Sequence, residues 1–246
     1  QLYAPLGWTS WLDLCRIHAQ AAEAQQKGDH TKMQAFWNTR LALCYENTEI
    51  VSTTAALMQR AQADAIPPRI VPDRALVITM YADTQPNRLE VSVEAWGPGV
   101  EHWTIDHQIL WGSPTERPET PGSVWDRLDE LRRTPFAHAS GALIRVSGYG
   151  IDSGGANTQD VYNYGSIRGH LACLVTKGHS LRGRPIIASK PSSQEINWQG
   201  NRSPDGVKLW MIGTDTAKDW LAGRMRLVSG PGAAHWHSGL EEEFFE

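Results

Sequence analysis

No apolar run in this sequence approaches the roughly 20 residues that a bilayer-crossing helix needs, and its beginning lacks the basic-then-apolar layout of a secretory signal. Both absences predict a soluble, intracellular protein with no membrane attachment. Cysteine is scarce. Cys15, Cys44 and Cys173 are too few and too scattered for a disulfide framework, and no Cys-x-x-Cys spacing suggests structural zinc. No Gly-x-x-x-x-Gly-Lys-Ser/Thr occurs, so this chain holds no P-loop ATPase. Positive charge is not in surplus either: a formal net charge of −4 argues against a protein that coats nucleic acid, since non-specific affinity grows with the number of phosphates neutralised. Internal repeats and low-complexity segments are absent.

What is present is an ordinary globular composition, with 41% hydrophobic and 20% charged residues in 246. The chain begins at Gln1 and stops in Glu-Glu-Glu-Phe-Phe-Glu, which reads as a piece of a longer polypeptide. One stretch departs from the acidic balance. Arg168, Lys177, Arg182, Arg184 and Lys190 lie in a segment that holds no acidic residue, a candidate phosphate-facing edge; a solvated basic loop has the same composition.

Residues 1 to 65 read as helical, because Trp11, Leu12, Leu14 and Ile17, then Met33, Phe36, Trp37, Leu41 and Leu43, recur near every third or fourth position. Pro67-Pro68 ends the last helix, which divides the chain into a helical segment 1–68 and a second part 69–246. There the pattern becomes that of strands. Arg74 to Ala82 is a near-continuous apolar run suited to a central strand, Leu89 to Trp96 alternates, and His102 to Leu110 closes an antiparallel meander. Ser123-Val124-Trp125-Asp126 has the form of a capping box and opens a helix to Arg133. Ala142 to Ser147 gives a fourth strand, Thr158 to Ile167 a helix and Leu171 to Val175 a fifth strand. Gly178 to Asn201 reads as a long loop and Asp215 to Leu221 as a short helix.

The order β-β-β-α-β-α-β with right-handed crossovers places the fourth strand beside the first, in an α/β fold with a mixed five-stranded sheet and flanking helices, the ribonuclease H-like arrangement. Asp83 and Asp152 follow the first and fourth strands, so neighbouring strands bring the two carboxylates together. Each aspartate alone is ordinarily a turn cap; their joint placement suggests a site for Mg²⁺ or Mn²⁺, with two ions clamping the oxygens of a phosphodiester during hydrolysis. Gln85 has the position to orient a water or ligand, and Lys177 to reach a phosphate, although a turn residue and a strand-closing surface lysine are their commoner roles. Glycines 154 and 155 either supply the turn or let a DNA backbone approach. His235-Trp236-His237 resembles a metal pair, yet no further ligand is spaced to complete zinc coordination. The eleven tryptophans fit apolar core positions, with stacking on a splayed base open to any exposed one.

The segment Ala82-Asp83-Thr84-Gln85-Pro86-Asn87-Arg88-Leu89-Glu90, with Ala95-Trp96-Gly97 after it, resembles an acidic motif of GpA-type phage terminase large subunits. Ile151-Asp152-Ser153-Gly154-Gly155 with Thr158-Gln159 and Val161-Tyr162 is similar to that family's second acidic motif. Lys177-Gly178, Gly213 to Lys218, and Gly230-Pro231-Gly232 with Phe244-Phe245 resemble further segments in the same order. Leu2-Tyr3-Ala4-Pro5, Trp8 to Trp11 and Phe36-Trp37-Asn38-Thr39 resemble the connector between motor and nuclease. Tyr81 and Ala82 replace the glycine and valine usual before the first acid.

The resemblance implies a metal-dependent DNA endonuclease that cuts concatemeric viral DNA during genome packaging in the host cytoplasm. It further implies Asp83 and Asp152 as metal ligands, with Lys177, Arg182, Arg184 and Arg168 toward DNA. Residues 1–68 would be the connector from an ATPase domain of the same polypeptide, and the partners double-stranded DNA, the terminase small subunit and the portal protein. The family's third acid lies in an Asn-Glu-Ala-Leu-Asp-like segment that this sequence does not contain, so the resemblance places it beyond residue 246. A catalytically silent DNA- or portal-docking module fits the same resemblance. Another ribonuclease H-like enzyme, a resolvase or transposase, fits the fold but not the Thr214 to Lys218 match.

Overall fold

The computed structural model of the chain describes residues 9–26, 29–43, 45, 53–198 and 201–245; the segment Leu2 to Trp8 singled out above lies outside them. Three helices come first: α1 (Trp11–Gln26), α2 (Thr31–Phe36), which runs on as a π-helical turn over Trp37–Leu41, and α3 (Thr54–Asp64). The side chain of Thr53 caps α3 by accepting from the N–H of Ala56, and Ala65 closes it in the left-handed conformation at φ 49°. Leu14, Ala21, Met33 and Phe36 form a small core between α1 and α2.

The strands then follow. β1 (Ile70–Val71), β2 (Val77–Gln85), β3 (Arg88–Trp96) and β4 (His102–Trp111) lead into α4 (Val124–Arg133). After these come β5 (Phe136–His138), β6 (Leu143–Ile144), β7 (Val146–Asp152), α5 (Thr158–Arg168), β8 (Cys173–Gly178), β9 (Ser192–Trp198), β10 (Asn201–Ile212), α6 (Thr214–Met225) and β11 (Ala234–Trp236). β1, β5 and β6 make a three-stranded sheet; the rest form one sheet of eight strands in the order β11-β4-β3-β2-β7-β8-β10-β9.

The expected meander is present, β7 lies parallel to β2, and β8 lies parallel to β7. The five-strand count needs correction: β10 and β9 extend the sheet beyond β8, and β11 extends it beyond β4. β9 occupies part of the stretch read as a loop. Its first residues, Ser192, Ser193 and Glu195, are exposed on an edge strand, where polar residues replace the apolar alternation that marks a buried one.

Alternation decides which face is buried. Ile78, Met80 and Ala82 on β2, and Leu89, Val91, Val93 and Ala95 on β3, point into the main core against α4 and α5. Ser123 caps α4 by accepting from the Asp126 N–H at 3.2 Å, while the Asp126 carboxylate accepts from Gly122 N–H at 2.9 Å, one residue earlier than the capping box predicts. Trp125 and Tyr164 stack at 4.7 Å and join the two helices. At the other edge α3 packs Leu57 and Ala61 against Trp236 and Leu240. Among the described residues no helix is long and apolar enough to cross a membrane.

Candidate active site

Because β2, β7, β8 and β10 are parallel, their carboxyl ends share one edge of the sheet. Ala82 pairs with Ile151, and the next residue on each strand is an acid, Asp83 and Asp152. With strands about 4.8 Å apart, the two carboxylates emerge side by side. They line an open cleft of about 570 Å³ together with Gln85, Gly154, Gly155 and Lys177.

Each acid is held by neutral donors. The Gln85 side-chain amide donates to Asp83, and the backbone carbonyl of Gln85 accepts from Asn157 at 3.2 Å, so the end of β2 is tied to the start of α5. The loop amides of Gly154 and Ser153 favour the charged form of Asp152, and the Ser153 N–H donates to the Thr176 carbonyl at 2.9 Å. A Cβ at Gly154 would stand 3.1 Å from the Asp152 carboxylate, and one at Gly155 would stand 3.3 Å from the Thr84 carbonyl; these glycines let the loop wrap the acid. Burial pushes the Asp152 pKa up, the charge of Asp83 adds to that rise, and the backbone donors and Lys177 oppose it. Two anions thus meet in a partly dry cleft, which a hard cation with oxygen preference would relieve.

Behind the acids stands a residue that sequence reasoning passed over. The Tyr81 ring lies against Gly150, where a Cβ would approach to 2.7 Å, and its hydroxyl meets that of Thr176 at 2.7 Å. Thr176 in turn donates to the Ile151 carbonyl at 3.0 Å. Burial, with the charges of Asp152 and Asp83 adding to it, pushes the Tyr81 phenol up to about 12, so it is a neutral donor or acceptor at physiological pH. The sequence signal available was the tyrosine where the resemblance leads one to expect a glycine.

Lys177 joins the acids in the cleft. Arg182 and Arg184 lie on the exposed loop after β8, anchored where Asp215 accepts from Gly183 N–H at 2.8 Å and Thr216 donates to the Arg184 carbonyl at 2.6 Å. Arg168 is elsewhere: it ends α5, pairs with buried Asp129 at 2.8 Å and covers Tyr164. His235 sits on β11, the opposite edge strand from β9, and His237 follows it in a bridge to Ile66; His235 contacts Asp64 at 3.0 Å and Glu101 at 3.3 Å. Among the described residues, no group of three or more His, Cys, Asp and Glu is placed to hold a metal ion. Two carboxylates still fit Mg²⁺ or Mn²⁺, which take one or two protein carboxylates and complete their shell with water and substrate phosphate.

Comparison with known proteins bears on the same residues. The chain is 31% identical over 239 residues to the terminase large subunit of Escherichia phage lambda, covering 95% of this chain and 34% of that protein. It is 33% identical over 161 residues to the terminase large subunit of Enterobacteria phage P21, covering 65% of this chain and 23% of that protein. This chain therefore spans about a third of the length of the first relative and under a quarter of the second. No solved structure matches. The family model for the endonuclease domain of terminase large subunit gpA matches residues 1–246, and the chain belongs to that family.

Proposed function

We propose that this chain is a divalent-metal-dependent endodeoxyribonuclease with a ribonuclease H-like core, which cuts concatemeric viral DNA during genome packaging. The observation that carries the reading is the pair Asp83 and Asp152 at adjacent parallel strand ends, in a cleft that also holds Lys177. The order β4-β3-β2-β7-β8, with β3 alone antiparallel among the five, supports the ribonuclease H-like assignment.

Asp83 and Asp152 would hold Mg²⁺ or Mn²⁺, as one ion or two. When bound, the metal supplies Lewis-acid stabilisation of the negative charge that builds on the reacting phosphate. The protein's own groups do the positioning. Gln85 fixes the Asp83 carboxylate without adding charge, the Gly154 and Ser153 amides favour the charged form of Asp152, and Lys177 sets a positive charge beside the phosphate. Arg182 and Arg184 extend that charge along the backbone of bound DNA. Residues 1–68 act as the connector from an ATPase domain and residues 69–246 as the nuclease. The small subunit, the portal protein and double-stranded DNA are its partners, in the host cytoplasm.

A second reading, a catalytically silent DNA- or portal-docking module, draws on the grouping of only two acids among the described residues. Nicking of supercoiled plasmid with Mn²⁺ or Mg²⁺ separates the two. The nuclease reading expects cutting that Asp83→Ala and Asp152→Ala each abolish. If only a polypeptide continuing past residue 246 cuts, the third acid lies there. Absence of cutting in both lengths, with DNA or portal still bound, favours docking.

A further inference from the structure

The face of the sheet that carries Asp83 extends beyond the cleft. In antiparallel pairing, residues directly opposite share a face, as do residues two apart on one strand. Gln85 pairs with Arg88, and Arg88 with Trp111, so these three stand in one row on the face of Asp83. Trp111 is 57% exposed at the end of β4, beyond the pairing with β11, which stops at Thr104.

Its position is fixed from several sides. The Arg88 guanidinium lies 5.3 Å from the centroid of the indole. Arg88 is itself held by Glu90 at 2.6 Å, which offsets its charge. Arg127 of α4 donates to the Trp111 carbonyl, and Gly112 N–H, at φ 145°, donates to the Asn87 carbonyl at 2.9 Å. A rigid, exposed, charge-compensated indole is a stacking platform; a surface tryptophan without such bracing would lose rotamer entropy on every contact.

We propose that Trp111, braced by Arg88, stacks on a base unpaired near the cut and so anchors one DNA strand beside the acid pair. The inference rests on the nuclease reading. Two strand spacings and one two-residue step put Trp111 roughly 12 Å from Asp83, three to four steps of DNA rise, which lies within a single footprint. Continuity with the cleft favours DNA over a protein partner. Because Glu90 offsets Arg88, the contact is a stacking one and insensitive to salt, unlike the contacts of Lys177.

The test is fluorescence anisotropy without divalent metal, using a labelled duplex that carries a central unpaired segment, beside the same duplex fully paired. Trp111→Ala is expected to weaken binding to the first by about 5- to 140-fold, the range of base–aromatic stacking. It should leave the slope of log Kd against log salt unchanged and erase the preference for the unpaired segment; Trp111→Phe should retain most of both. Lys177→Ala should lower the salt slope by about one. If Trp111→Ala binds like wild type while Lys177→Ala loses affinity, the stacking inference falls and the nuclease reading stands, the indole then serving a protein contact. A wild-type chain with no affinity for either duplex overturns both.

Discussion

Gly165→Ala sets two opposing effects against each other inside α5. In an exposed helix interior this change stabilises by about 1 kcal/mol, through lower backbone entropy in the unfolded chain. Here a Cβ would stand 2.2 Å from Cγ2 of Val175 and 3.2 Å from Cγ2 of Val207. Carbon–carbon contact is comfortable at about 3.5–4.0 Å, so the first of these is a hard overlap. Val175 and Val207 are 1% and 6% exposed, and a β-branched side chain has little rotamer freedom with which to escape. The helix must therefore lift from β8 and β10, an overpacking that costs about 1–3 kcal/mol and outweighs the propensity gain in most of that range. We expect a net loss of up to about 2 kcal/mol in urea unfolding, and a Tm lower by up to about 8 °C for a chain of this size. Plasmid nicking should fall as well, because Asn157 at the start of α5 holds the end of β2. In a Val175→Ala background the overlap is gone, and Gly165→Ala should become neutral or stabilising. A Gly165→Ala chain more stable than wild type would refute the close seating of α5 on the sheet.

Gly150→Ala should drive the Tyr81 ring off Thr176 and cost about 1–3 kcal/mol, with slower nicking; Tyr81→Ala added to it should recover the stability by calorimetry, and no recovery would assign the cost to another contact. Glu94 has its pKa pushed from 4.5 up to about 8, chiefly by burial, against a single hydroxyl donor from Thr104. The folded state thus favours the protonated acid: its stability is full below 4.5 and declines as pH rises through about 8, by at most about 5 kcal/mol. Glu94→Gln should flatten that slope in unfolding measured from pH 4 to 9, whereas an unchanged slope would place its origin in other groups. Arg168→Ala strips a partner from Asp129, which is 3% exposed, and should cost about 3 kcal/mol. DNA affinity and its salt slope should stay as they were; a reduced slope would put Arg168 on the DNA after all.

The apolar run of β2, the alternation in β3, the cap at Ser123, the proline stop after α3 and the acids near two strand ends were all legible in the sequence, whereas the one-sided burial of β2 was not. Each is a local pattern, carried by residues within a turn or a few strand positions of one another. The right-handed crossover rule then sufficed to put β7 beside β2. Less legible were β9, polar and exposed at one sheet edge, and β11, buried throughout but only three residues long, too short to show a period. Arg168 read as part of a basic run because its acidic partner, Asp129, is 39 positions away in sequence.

The sequence by itself determined the order of the five central strands, though not their ends, since the stretch Ala142 to Ser147 read as the fourth strand is split between β6 and the start of β7, and, through its ordered motifs, the family. Tertiary structure alone decided that Tyr81 crosses Gly150 to Thr176, that Gln85 holds Asp83, and that Trp111 stands exposed in the row of Gln85. The reason is physical: periodicity specifies the face a side chain takes, whereas its neighbours come from strands paired across long separations, and no local pattern records their register.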